Sequence, residues 1–184
     1  MPESDQPAFL IDPDVQLMLE TSAGSETAFT ELIRRHQNGL LNFFVRMGVY
    51  NDAEDLVQET FIRLYKARAR YRPAAKFSTY LYVVARHVWA DRGRKAKMHL
   101  RLESSLKTDA EISGSVTPPV SQAGMDVQEA LNQLSPKLRE VIVLNVYQGL
   151  PYQDIADVLE IPLGTVKSRI NLAMQELRVL FHEN

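Results

Sequence analysis

An all-helical fold in two small domains is the architecture this sequence predicts, and three observations carry it. Apolar residues recur at three- and four-residue spacing through most of the chain, as in Phe29, Leu32, Ile33, Leu40, Leu41 and Phe44. No alternating strand pattern and no internal repeat interrupts them. Between roughly Leu102 and Gly124 the composition changes to Ser104, Ser105, Thr108, Ser113, Gly114, Ser115, Thr117, Pro118, Pro119 and Ser121, with few large apolar residues, which reads as a flexible linker. The expected organisation is therefore a domain over 1–101, a linker over 102–124 and a second domain over 125–184.

The elements follow in order. A first short helix covers Val15 to Leu19. Ser25 is the expected N-cap of a second, running from Glu26 to Val45 and closed by Gly48. The next starts near Asn51 or Asp52 and runs to about Arg70, burying Leu56, Val57, Thr60, Phe61, Leu64 and Tyr65. Pro73 disfavours helix in the residue before it, so Tyr71 to Lys76 is a loop. Ser78 is the expected N-cap of a helix that runs past Arg94 with Leu81, Val84, Ala85 and Val88 on its apolar face. Beyond the linker, one helix spans Met125 to Gln133. Ser135-Pro136 starts another, with proline at the first helical position, and Gly149 ends it. Two more, Tyr152 to Leu159 and Gly164 to about Phe181, flank Glu160-Ile161-Pro162.

Bulk properties exclude some functions. Among 184 residues, 45% are hydrophobic and 24% charged, ordinary values for a chain that buries a core. The formal net charge of -2 argues against a protein that coats DNA by charge alone. Cysteine is absent, so disulfides, zinc ribbons and thiol nucleophiles are excluded. Met1 to Asp14 has neither a basic start nor an apolar run, and no stretch approaches the roughly 20 residues of a membrane span, so a cytoplasmic protein is expected.

Three constellations could carry function. Pro151 to Leu177 has the plan of a helix-turn-helix, whose second helix enters the major groove. Ile155, Ala156, Leu159, Ile161, Val166 and Ile170 would form the seam, and Ala156 is small where the helices cross. Thr165, Lys167, Ser168, Arg169 and Asn171 would face outward, where they can bond phosphates and base edges. A helical hairpin with a merely solvated face is the plainer alternative. The second constellation is basic and aromatic: Arg86, Arg92, Arg94, Lys95, Lys97 and Arg101 against the single acid Asp91, with Phe77, Tyr80, Tyr82 and Trp89 near or among them. Cations follow a nucleic-acid backbone and aromatic faces stack on unpaired bases, each for roughly 1–3 kcal/mol. Burial of Phe77 and Tyr80 in the core is as good a reading, whereas Trp89 is offset from the apolar stripe and expected to be exposed. The third is acidic: Asp52, Glu54, Asp55 and Glu59, with Gln58, at a helix start. Acids there favour the helix dipole without any partner. They could also form a protein-docking surface, or serve a metal-dependent nuclease, although no histidine joins them and acids spread over two turns cannot all converge on one ion.

Together these segments resemble the extracytoplasmic-function sigma factors, from about Asp14 to Arg178. Ala53-Glu54-Asp55-Leu56-Val57-Gln58-Glu59-Thr60-Phe61 is similar to that family's polymerase-binding helix. Phe77-Ser78-Thr79-Tyr80-Leu81 with Ala85-Arg86-His87 and Asp91 resembles its promoter-melting helix. Leu134-Ser135-Pro136, Ile155-Ala156 and Gly164-Thr165-Val166-Lys167-Ser168-Arg169 resemble its minus-thirty-five-binding domain. Tyr80 stands where the family usually has Trp, His87 where it has Asn, and Leu172 where it commonly has Arg.

The resemblance implies a sigma factor that binds core RNA polymerase, directs it to promoters and promotes melting, with no catalytic residues, no metal and no cofactor. Its partners would be the polymerase clamp and flap and promoter DNA, duplex and single-stranded; an anti-sigma factor is left open. It assigns polymerase binding to Asp52, Glu54, Asp55, Gln58 and Glu59. Minus-ten DNA falls to Tyr71, Lys76, Phe77, Tyr80, Arg86, His87, Trp89, Arg94 and Lys95, with the Tyr71–Lys76 loop holding a flipped base. Minus-thirty-five DNA falls to Thr165, Lys167, Ser168, Arg169 and Asn171. A stand-alone helix-turn-helix regulator is the alternative; it leaves the acidic helix and the basic-aromatic region without a role.

Overall fold

The computed structural model describes residues 11–106 and 126–182, and all regular structure among them is helical. The first set of helices is α1 (Pro13–Ser22), α2 (Glu26–Arg46), α3 (Ala53–Ala67) and α4 (Phe77–Leu106), with a 3-10 turn at Arg68–Arg70 after α3. The second is α5 (Val127–Gln133), α6 (Pro136–Ile142), α7 (Tyr152–Leu159) and α8 (Leu163–His182). A π-helical turn, Val143–Tyr147, continues α6. Most of the expected linker lies outside the described residues, but its first residues, from Leu102 to Leu106, belong to α4. No proline interrupts α4, so the helix propagates past its last packed turn.

Local signals account for most boundaries. The Ser25 side chain accepts a hydrogen bond from the Ala28 N–H at 3.2 Å, so α2 starts at its expected cap. Gly48, at φ +87°, takes the left-handed turn that ends that helix. Ser78 is not the cap of α4. That helix begins at Phe77, whose N–H donates to Asp12 Oδ2 at 3.0 Å, while Asp12 Oδ1 accepts from the Asp14 N–H at the start of α1. One carboxylate thus caps two helices.

Val15 and Met18 of α1, Leu32, Leu40, Phe43 and Phe44 of α2, Phe61 and Leu64 of α3, and Phe77, Leu81 and Ala85 of α4 are all buried. Beyond residue 126, Leu131, Leu138, Val141, Ile142, Ile155, Leu159, Val166, Ile170 and Ala173 fill the space between α5, α6, α7 and α8. The two groups are not separate: they run together as one continuous core, because α7 packs on α4 and the π-helical turn packs on α2. Full burial of each large aliphatic or aromatic side chain is worth about 1.5–3 kcal/mol.

Candidate polymerase and nucleic-acid interfaces

The acidic face lies at the start of α3. Asp52, Glu54, Asp55 and Gln58 are exposed, and Glu59 is half-buried. Arginines from both α3 and α4 answer part of this charge. Arg92 Nη2 reaches Asp52 Oδ2 at 2.8 Å, and Arg63 bridges Glu59 at 2.7 Å and Asp91 at 2.6 Å. The hydrogen bonds from Arg63 and Arg94 hold the Asp91 carboxyl below its ordinary value. These pairs lace α3 to α4 along a cleft of about 700 Å³ lined by Asp52, Asp55, Glu59, Arg63, Arg92 and Lys95. The sequence shows the acids but not that Arg63 and Arg92 fold over two of them. Glu54, Asp55 and Gln58 are what remains open for a partner.

The expected minus-ten residues divide by burial. Phe77 is 0% exposed and Tyr71 is 5% exposed. Phe77 stacks beside the His36 ring and Tyr71 lies against Tyr80, ring centres 5.1 Å apart in each pair. Burial pushes the Tyr71 hydroxyl up to about 12 and also raises that of Tyr80. The N-terminal aromatics of α4 are therefore core residues, and Tyr80 keeps only part of its ring at the surface. Trp89, expected in solvent, is instead half-buried and packs partly against the core. Tyr82 is likewise buried, with its hydroxyl donating to Gln148 Oε1 at 2.5 Å. Lys76, His87, Arg94 and Lys95 are exposed. Arg94 pairs with Asp91 one turn away.

The C-terminal helices form the expected helix-turn-helix. Ile155, Ala156, Leu159, Val166 and Ile170 are buried in its seam, and Ile161 packs at the edge. Glu160 makes the turn in the left-handed region, φ +54°, and the Ile161 N–H closes it on the Ala156 carbonyl at 3.1 Å. Lys167, Ser168 and Asn171 project to solvent, and Thr165 and Arg169 are half-buried. Helix α8 begins one residue earlier than expected, at Leu163. The Thr165 N–H consequently donates to the Pro162 carbonyl at 2.8 Å and is not free for a phosphate. The Ser168 hydroxyl donates to the Thr165 carbonyl at 3.0 Å, an ordinary local bond that a base edge would have to replace.

Arg86 does not face solvent freely. Its Nε donates to Glu140 Oε1 of α6 at 3.0 Å. Glu140 is 7% exposed, and burial drives its carboxyl upward against the pull of Arg86 and, more weakly, of Arg169. The same seam carries Tyr82 on Gln148, Asn132 donating to the Tyr50 hydroxyl at 2.8 Å, and Arg46 over the Tyr147 ring at 4.5 Å. Arg139 donates to the carbonyls of Leu131 and Asn132, each at 2.7 Å, and reaches that of Met47 at 3.4 Å. Nothing in the local spacing of the sequence marks Glu140, Gln148 or Arg139 as a partner of the first four helices. Among the described residues no group of three or more His, Asp or Glu is placed to hold a metal ion, and no helix is long and apolar enough to cross a membrane.

Comparison with known proteins agrees with this geometry. Residues 32–98 match the family model for Sigma-70 region 2, and residues 124–177 match that for Sigma-70, region 4. The chain is 31% identical to the ECF RNA polymerase sigma factor SigW of Bacillus subtilis, over 86% of this chain and 91% of that protein. It is 29% identical to the RNA polymerase sigma-H factor of Pseudomonas aeruginosa, over 90% and 92%. Against the ECF RNA polymerase sigma factor SigE of Mycolicibacterium smegmatis it is 33% identical, over 82% of this chain and 60% of that longer protein. Among solved structures, CnrH in complex with the cytosolic domain of CnrY superposes with a TM-score of 0.72 at 27% identity, over 94% of this chain and 99% of that one. With both sigma-70 regions present in order on one all-helical chain, the protein belongs to the extracytoplasmic-function sigma factors, which direct RNA polymerase to promoters.

Proposed function

We propose that this sigma factor divides its work among three helices. Glu54, Asp55 and Gln58 on the open face of α3 dock on the polymerase clamp. His87, Arg94 and Lys95 on α4, with Lys76 and the exposed part of Tyr80, follow the melted minus-ten strand. Lys167, Ser168, Arg169 and Asn171 on α8 read the minus-thirty-five element as duplex, where Arg169 can make a bidentate contact and Lys167 acts as a point charge. Residues 1–101 and 125–184 act as separate domains on DNA, and the sigma factor itself makes and breaks no covalent bond. It works in the cytoplasm, and an anti-sigma factor is a further partner, a reading supported by the likeness to CnrH, whose solved structure holds the cytosolic domain of CnrY.

One observation carries this division: exposed cations stand on α4 and again on α8, while acids stand open on α3. Run-off transcription with core polymerase on a promoter library tests it. The expected result is a subset of promoters transcribed only when the protein is added. Tight, sequence-specific duplex binding without core, and no specific transcripts with it, would instead identify a stand-alone regulator.

A further inference from the structure

Helix α8 carries one apolar side chain inside its polar outer face. Thr165, Ser168, Arg169 and Leu172 recur at three- and four-residue spacing, so they share one stripe of the helix. Leu172 is 48% exposed. A lone exposed leucine is ordinary. This one stands among side chains that can bond DNA, with Ser168 one turn before it and the exposed Asn171 beside it. It does not extend an apolar strip suited to a protein partner. Val179, the next exposed apolar residue on that stripe, lies beyond Glu176, an exposed acid that interrupts the two. The same acid repels phosphates, so contact with a duplex ends near Leu172.

A leucine side chain has no hydrogen-bond donor or acceptor, so it bonds neither a phosphate nor the polar edge of a base. In the major groove the four base pairs offer one apolar group, the C5-methyl of thymine. We propose that Leu172 is a specificity-determining residue that selects thymine at one position of the minus-thirty-five element by packing on that methyl group. One turn of helix, about 6 Å at roughly 1.5 Å per residue, separates Leu172 from Ser168. Base pairs rise roughly 3.4 Å each, so the selected thymine lies about two base pairs from the contact made by Ser168. This contact adds selectivity without charge, and salt does not screen it as it screens Lys167. The inference rests on the assignment of α8 to the minus-thirty-five element proposed above, and names one base that the helix reads.

Holoenzyme assembled from core polymerase and the full chain is the material for the test. Selection from promoters randomised in the minus-thirty-five element should enrich thymine at one position with the parent, and Leu172→Ala should lose that enrichment alone. Replacing that thymine by uracil deletes the methyl group and leaves base pairing intact. The change should weaken binding by the parent about fourfold, the worth of one buried methyl group, and leave binding by Leu172→Ala unchanged. Leu172→Met keeps an apolar side chain and should keep the uracil penalty, which separates loss of the contact from damage to the helix. No thymine enrichment, an equal uracil penalty in the parent and Leu172→Ala, or no penalty with Leu172→Met overturns the proposal. The role of α8 fails in a different way. If Lys167→Ala and Arg169→Ala both select and bind every element as the parent does, α8 does not read the minus-thirty-five element, and Leu172 falls with it. Weakened binding by those two variants with no effect of the thymine methyl removes Leu172 alone.

Discussion

Asp12 accepts a hydrogen bond from the Phe77 backbone N–H at 3.0 Å, and so caps a helix that starts 65 positions further along the chain. Its second oxygen caps α1 through the Asp14 N–H. Asp12→Ala removes both bonds at once. Loss of a single cap costs about 0.5–2 kcal/mol, and this one should fall at or above the upper end. Asp12→Asn keeps an acceptor and should recover part of the loss. Urea unfolding of the three proteins side by side checks this; equal stability of Asp12→Ala and the parent would refute the double cap.

Glu160 adopts φ +54° in the turn between α7 and α8. A side chain in this region costs about 1–2 kcal/mol that glycine avoids. Glu160→Gly should therefore raise the melting temperature, by roughly 2–4 °C per kcal/mol recovered in a chain of this size. The gain is reduced by the freedom glycine restores to the unfolded chain. Calorimetry measures the shift, and a lower melting temperature would count against strain at this turn.

The ion pairs of Asp52 and Glu59 separate the acids that hold the fold from those left for a partner. Reversing Glu54 and Asp55 together to Lys should leave folding within about 0.5 kcal/mol, because both are exposed. Binding to core polymerase should be lost, since like charges placed against a complementary surface cost several kcal/mol. Competition for core against the parent protein is the measurement. Unchanged affinity would remove α3 from the polymerase contact.

Lys167 is exposed on α8 and Arg169 half-buried beside Glu140. Lys167→Ala should weaken duplex binding almost equally for all sequences and flatten the salt dependence by about one unit. Arg169→Ala should cost roughly 1–3 kcal/mol at particular base positions. Titration against single-base variants of one promoter separates the two behaviours, and sequence-independent loss in both variants would show that Arg169 binds only phosphate.

Glu31 is held at about 2, below the ordinary 4.5, first by its hydrogen bond to Arg34 and then by that to Arg35. A carboxyl with a depressed folded value stabilises the fold above its unfolded value and loses that contribution as pH falls. The loss should therefore run from about 4.5 down to about 2. Glu31→Gln should flatten the acid limb of stability against pH in that window and leave its shape near neutrality unchanged. Denaturant midpoints across the window test it, and parallel curves would exclude Glu31 as a contributor.

Much of this molecule is set by local physics and so legible in the sequence. The period of Leu32, Leu40 and Phe44 sets α2, Ser25 caps it and Gly48 ends it. Pro136 opens α6, and Tyr152 to Leu159 stands as a helix with both ends where the residues place them. Each of these depends on neighbours within a turn or two. The family's motifs are legible for the same reason, being short runs of adjacent residues. What only the tertiary structure decided are the relations between residues far apart in sequence. Ser78 has the chemistry of a cap, yet Asp12 takes the role because α1 lies against the start of α4. Phe77 looks equally suited to stacking on a base, but the space between α2 and α4 encloses it. Arg86 carries the same charge as Lys95; one is held by Glu140 and the other is open, because α6 and α7 fold back over only part of α4. Hydrophobic spacing fixes which face of a helix is buried, but the partner that buries it, and the charge that partner brings, follow from the packing of the whole chain.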